Sequence, residues 1–470
     1  MTVIIVWFRN DLRMHDHPAL ATAMADADTV IPVFIFNDEI LHSRHSSANR
    51  NRFLLESLED LQAGLQVGGS NLVIRSGNAA EQLRQLAVKT GAEAVYYSAD
   101  YTPYAIKRDK TVKAELGLDK IAFRGFPGRL AVSNLDALHT KTDTTHKMFT
   151  PFYNNWQQVG RRDVAQLPSK LPALPTGLDT GQLPSLVTIA GDGLLSPGVL
   201  HGGETAARLR LKVFLQDAVI HYREANNIMA LAGTSRLSSY LHFGCLSPRE
   251  IETMLPSSEG ATAWHRQLAW REFYHYILFK FPANANQEFQ ERYHGMEWDD
   301  NPAFLKAWQD GQTGYPIVDA SMRQLLQEGW MHNRARLIVG SFLTKDLWLD
   351  WRAGEQHFMR LLIDGDQSNN NGNWQWIASV GVDPAPVFRR LYNPTLQQKN
   401  FDPDGAYVRQ FVPELKDVPD EYLAEPWTMP AVLQQRVGCV IGKNYPAPIV
   451  DHKAARLKAL DRYREAATRL

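Results

Sequence analysis

Cysteine is nearly missing from this chain: Cys245 and Cys439 are the two among 470 residues. That count excludes a disulfide framework and a cysteine-ligated zinc site. Long apolar runs are missing too. No stretch approaches the roughly 20 residues that cross a membrane, and the opening MTVIIVWFRND lacks the basic-then-apolar order of a secretory leader. Net charge is close to zero, with 50 Lys+Arg against 51 Asp+Glu. A whole-molecule positive field is thereby excluded, so a nucleic-acid partner would have to be met by a local patch. No HExxH or other paired ligand spacing occurs, so no metal site is expected. No GxGxxG follows the first apolar run, which argues against a dinucleotide cradle there. No internal repeat is found. These absences point to a protein of a reducing compartment, the cytoplasm.

What is present is a well-mixed globular composition, 44% hydrophobic and 21% charged, with 12 Trp. Such a composition excludes disorder, and the length suits two or three domains. In the first 125 residues, VIIVWF (3–8), IPVFIF (31–36), NLVIR (71–75), AVYYS (94–98) and IAFRG (121–125) read as strands apolar on both faces. Helical spacing fills 49–65, 79–90 and 102–116 between them. That alternation predicts a doubly wound, Rossmann-like parallel sheet covered on two sides. Residues 160–204 are rich in Pro and Gly and carry no sustained period, as an interdomain connection does. Beyond them helical patterns dominate, clearest over 206–226, 264–281, 317–327, 333–349 and 355–362, with Gly329 as a helix stop. The expected organisation is an α/β domain over 1–130, a long linker over 131–204 and an all-α domain over 205–470.

Four segments carry chemistry. GTSRLS (233–238) places hydroxyls, backbone N–H groups and an arginine at a helix start, a setting for an anionic group; an ordinary capped helix reads the same way. WHRQLAWREFY puts Trp264, Gln267 and Arg271 on one helical face with Trp270 and Tyr274 beside them, a wall that can stack on and hydrogen-bond a flat ligand, or an amphipathic face with interfacial tryptophans. GWMHNRAR (329–336) offers two arginines beside Asn333; the lone His332 reads as structural. DGDQSNNNGNWQW (364–376) has two carboxylates two residues apart, then asparagines and tryptophans. Its glycine position and lack of a terminal Glu do not fit a calcium loop, and spacing of two does not place carboxylates across a glycosidic bond.

In this order and spacing, these pieces resemble the DNA photolyase/cryptochrome family along nearly the whole chain, most closely the bacterial class I cyclobutane pyrimidine dimer photolyases. VWFRNDLRMHD (6–16), KMFTPF (147–152), TGYPIVDASMRQL (313–325), DLWLDWR (346–352), RLYNPT and YPAPIVDHKAAR extend the match. The resemblance implies an N-terminal antenna domain and a C-terminal helical domain holding FAD folded into a U. By position, Tyr222, Thr234, Ser235, Arg236, Leu237 and Ser238 would contact phosphate and ribitol. Trp264, Arg271, Asn333, Arg336, Asp364, Asp366 and Asn370 would contact flavin and adenine, with Arg336 and Asp364 paired and Asn370 facing flavin N5. Trp374, Trp351 and Trp298 would relay electrons from the surface to an oxidised flavin.

The implied activity is light-driven electron transfer from reduced FAD to a pyrimidine dimer flipped out of UV-damaged DNA, by a monomer; base flipping by photolyases is a known route to such a lesion. Trp270 and Trp376 would be stacking walls, and Arg334, Arg389 and Lys399 phosphate contacts. Three substrate-side positions depart from the family: Gln267 replaces a usual Glu, Leu337 a usual Met, and Asn226 a usual Arg. The places of the two active-site histidines of (6-4) enzymes fall on Asn333 and Leu337, which argues against that repair. The alternative is a cryptochrome-type blue-light receptor. Pro103 and Tyr104 stand where folate-binding members tend to have Asn-Glu, which looks closer to the 8-hydroxy-deazaflavin pattern; an antenna chromophore would be that pigment or methenyltetrahydrofolate, or the site would be empty.

Overall fold

Every residue of the first strand, β1 (Val3–Phe8), is buried, because neighbours flank it on both edges and helices cover both faces. A computed structural model describes residues 1–41, 43, 45–140, 142, 144–168, 170–190 and 193–468; Lys141, Asp143, Ser169, Gly191 and Asp192 of the expected linker lie outside it. With β2 (Thr29–Phe36), β3 (Val73–Ser76), β4 (Ala94–Ser98) and β5 (Ala122–Phe126), β1 forms a five-stranded parallel sheet in the order β3-β2-β1-β4-β5. All five expected strands are found. The helices between them begin where the sequence supplies caps. Ser47 accepts from the Arg50 N–H, Asn78 from Ala80 and Glu81, and Thr102 from Ala105 with Pro103 at the first helical position.

From Glu204 onward the described chain is helical. The helices Glu259–Lys280, Pro316–Glu328, Trp351–Leu361 and Gln367–Ile377 form where expected, and Pro316–Glu328 stops at Gly329 with φ 59°. Two expected long helices are broken. Glu204–Val213 runs into a π-helical turn, Phe214–Ala218, and Asn333–Ser341 into another, Phe342–Asp346, after which Trp348 sits at φ 54°. One extra residue in a turn offsets the apolar spacing by a single position, a local slip that a helical period read over a long window passes over. The slip matters here: Phe214 lands 5.6 Å from the Trp264 ring, and Trp348 lands 5.0 Å from Trp298.

One apolar core spans both halves, from Ile4, Val6 and Phe8 of β1 through Phe53 and Leu58 to Tyr240, Phe243 and Trp264. Buried polar ties cross the same boundary. Arg13 donates to the carbonyls of Gly128 (2.8 Å) and Gly244 (3.0 Å), and Asn49 Nδ2 to that of Leu361 (2.6 Å). The helices Glu259–Lys280 and Gln367–Ile377 touch at Gly372, where a Cβ would lie 2.1 Å from Tyr274 Cδ1. Glycine is therefore required for the close approach of these two helices.

Candidate active site

These two helices form facing walls of a cavity of about 440 Å³. The first contributes Trp264, Gln267, Trp270 and Arg271, one face as the spacing predicted; the second contributes Asn369, Asn373 and Trp376. Ser235, Leu237 and Ser238 also line it, as do Asn333, Arg336, Leu337, Asp364 and Asp366. A narrower pocket of about 90 Å³ carries on to Asn370 and Trp374. Beyond Ser235 a third space of about 810 Å³ is lined by Thr234 and Arg236, whose guanidinium pairs with Glu328 (3.2 Å) and lies 4.2 Å from the Trp330 ring centre.

Hydrogen bonds fix the polar groups. Trp264 Nε1 donates to Ser235 Oγ (3.1 Å), joining the wall to the serine loop. Arg336 Nη2 donates to Asp364 Oδ2 (2.8 Å), while Asp364 Oδ1 is buried without a hydrogen-bond partner. Such an oxygen calls for a donor from a ligand. Asn370 Nδ2 donates to the Glu355 carbonyl (2.9 Å), which leaves Oδ1 as the acceptor of that amide. Asp366 Oδ1 caps the Asn369 N–H (2.9 Å) and stands 3.6 Å from His275; its Oδ2 is 3.7 Å from His242. Burial alone would raise the Asp366 carboxyl, but His275, His242 and Arg129 hold it well below the usual range.

Burial lowers His275 and His332 to about 4, aided by Arg271 near the first and Arg334, Arg336 and Arg236 near the second. Their unfolded values lie near 6.5, so between about pH 6.5 and 4 the unfolded chain binds protons that the folded chain refuses. Stability is therefore present above pH 6.5 and lost on acidification. Thermal unfolding followed from pH 7 to 4 is expected to show a midpoint falling steeply below pH 6.5, with a slope exceeding one proton; a flat profile would contradict the assignment.

The aromatic walls are each backed on one side. Trp270 stacks face to face on Phe149, centroids 3.6 Å apart and planes 5° apart. The Arg390 guanidinium lies 3.9 Å from the Trp376 ring centre. Both indoles line the cavity. Other expected residues lie elsewhere. Tyr222 stands beside Phe214 outside the cavities, and Asn226 turns back to its own helix, donating to the Tyr222 carbonyl (2.6 Å). Arg334 is held by Asn227 (2.6 Å) and Phe401, Lys399 pairs with Glu425 (3.3 Å), and Arg389 is exposed. Trp374 lies 5.0 Å from Phe358 and 6.1 Å from Trp308, Trp351 Nε1 donates to Glu288 (3.2 Å), and Trp298 meets Trp348. Sequence reasoning missed Phe149, Arg390, Asn373, Trp308 and Trp348. Only the tryptophan count hinted at the last two.

A separate cavity of about 370 Å³ opens on the α/β side among Arg9, Phe36, Tyr104 and Arg108. Asn37 Nδ2 donates to the Tyr104 hydroxyl (2.8 Å), and Arg9 pairs with Asp109 (2.7 Å), whose carboxyl burial pushes up to about 6. His242 and Asp366 line both this cavity and the 440 Å³ one.

A slot with indole walls, a serine-rich lining, a bound guanidinium and an unpartnered carboxylate oxygen fits a long, partly anionic ligand bearing flat rings, and FAD has that donor set. Residues 4–175 match the DNA photolyase family and 264–465 the FAD binding domain of DNA photolyase. The chain belongs to the DNA photolyase family. It is 37% identical over 468 residues to the deoxyribodipyrimidine photo-lyase of Streptomyces griseus, covering 97% of this chain and 98% of that protein. Its structure resembles a bacterial class III photolyase from Agrobacterium tumefaciens, with a TM-score of 0.92, 36% identity and 99% and 98% of the two chains covered. It also resembles the cryptochrome of Synechocystis sp. PCC6803, with a TM-score of 0.89, 30% identity and 99% of each chain covered. A class III enzyme stands among these neighbours, so membership does not separate class I from class III.

Proposed function

We propose that the chain is a deoxyribodipyrimidine photo-lyase that repairs cyclobutane pyrimidine dimers in DNA under blue light. The observation that carries this reading is the pair of indoles, Trp270 and Trp376, lining one cavity together with the Arg336–Asp364 pair, with the Asn370 amide in the narrow pocket that adjoins it. FAD bound there would supply the light-excited electron. The chain's own groups do the rest. Arg336 and Asp364 orient the rings, and Ser235, Leu237 and Ser238 hold the polar stem. Asn370 Oδ1 accepts a ring N–H and offers no acidic proton in return. Trp270 and Trp376 receive a flipped dimer by packing against its two rings. Arg389, Arg334 and Lys399 flank the DNA backbone. Trp374, Trp351 and Trp298 form the electron path to the surface. The α/β cavity suits a light-harvesting pigment, since it shares His242 and Asp366 with the flavin slot. The chain acts as a monomer in the cytoplasm, divided as 1–130, 131–204 and 205–470.

The test is direct. Chemically reduced protein mixed with UV-irradiated oligothymidine is expected to restore thymine absorbance under blue light and not in darkness. Intact photoreduction without repair would instead favour a photoreceptor of the kind its cryptochrome neighbour exemplifies.

A further inference from the structure

Each wall of the cavity repeats one small pattern. On the helix Glu259–Lys280, Gln267 stands one turn before Trp270; on Gln367–Ile377, Asn373 stands one turn before Trp376. All four side chains line the same space. Residues three apart share a helical face, so each indole comes with an amide beside it. A pyrimidine dimer is likewise two units, each a ring bearing a planar imide edge with one N–H donor between two carbonyl acceptors. A side-chain amide carries one acceptor and two donors and is the neutral complement of that edge.

The Asn373 amide is already oriented. Its Nδ2 donates to the Asn369 carbonyl (2.8 Å), one turn back, so its Oδ1 is the group left to accept. Among the described residues no side-chain partner is recorded for Gln267 or for Asn373 Oδ1, and both residues are exposed at the cavity. Asn370, one turn of helix deeper, faces the narrow pocket instead. Asn373 thus lines both the wide space that holds the indoles and the narrow one that holds Asn370.

We propose that Asn373 is a specificity-determining residue that reads the imide edge of the dimer base stacked on Trp376, its Oδ1 accepting the N3–H, while Gln267 serves the base on Trp270. The assignment rests on the dimer-repair reading above and adds to it a residue and an atom-level contact. Because both readers are uncharged amides, neither gains nor loses a proton over the working pH range.

The experiment measures dark binding of duplexes carrying one thymine dimer, either unmodified or methylated at N3 of the 5′ or the 3′ base, beside undamaged duplex. The wild-type protein is expected to bind the unmodified dimer about tenfold more tightly than one of the two methylated forms, the scale of one neutral hydrogen bond in a desolvated site. Asn373→Ala is expected to bind the unmodified dimer about tenfold more weakly and to lose that preference against the methylated form. Its flavin content, visible spectrum and affinity for undamaged duplex should match the wild type. Retention of the full methyl discrimination by the variant would overturn the assignment. Loss of flavin would overturn it too, making Asn373 a cofactor-holding residue. If the wild-type protein fails to tell dimer from undamaged duplex, the dimer-repair reading itself falls, an outcome distinct from the other two.

Discussion

Trp374→Phe is expected to keep its flavin yet photoreduce it at least about a hundredfold more slowly, the factor that roughly 2.7 kcal/mol on a barrier produces. Trp374 lines the narrow pocket beside Asn370 and is buried against Phe358, with Gly354 packed so tightly that a Cβ there would sit 2.2 Å from the indole. Phenylalanine fills most of this volume but is far harder to oxidise. Blue-light bleaching of the oxidised flavin with a thiol donor measures the loss. Dithionite-reduced variant should repair as the wild type does, because the electron path is then bypassed. Trp308 supplies the control: it also contacts Trp374, at 6.1 Å, and its Nε1 donates to the Val339 carbonyl (3.0 Å). If electrons leave through Trp351, Trp308→Phe photoreduces normally; a matching loss would redirect the path through Trp308.

Arg336→Ala is expected to destabilise the fold by up to about 3–5 kcal/mol and to release the flavin, because it removes the hydrogen-bonded ion-pair partner of a buried carboxylate and leaves it only the charge of Arg50. The Asp364 side chain is 4% exposed and Arg336 is its ion-pair partner, at 2.8 Å. The double variant Arg336→Met, Asp364→Asn removes both charges and should regain most of the stability, since a neutral packed pair costs little next to a broken one. It should not regain the flavin, which needs the guanidinium and the carboxylate. Denaturant unfolding and the visible absorbance retained after gel filtration separate the two effects. A single variant as stable as the wild type would show that the pair bears little load.

The strands were legible in the sequence because a parallel sheet buried on both faces demands short, continuous apolar runs, and VIIVWF and AVYYS can satisfy nothing else. The helix ends at Gly329 and the face shared by Trp264, Gln267 and Arg271 were legible for the same reason: local chemistry and local spacing suffice. The two π-helical turns were not, since an inserted residue preserves composition while re-aiming the side chains that follow. Most of the missed site residues are partners across space. Phe149 opens a helix over a hundred positions from the Trp270 it backs. Arg390 is buried beneath Trp376 while its neighbour Arg389 is exposed, a distinction that two adjacent arginines in a sequence cannot display. The Asp364 segment advertised its carboxylates and amides, but only the Glu355 carbonyl shows which end of the Asn370 amide meets a ligand.

The apolar core that runs without a break from β1 to Trp264 ties the stability of each half to the presence of the other. A fragment cut at the linker would expose Phe53, Tyr240 and Phe243 to water on both sides of the cut and would aggregate before it folded. Neither half can therefore be traded between relatives as a free-standing module. Any exchange of parts has to be made at the level of loops, with the seam left intact.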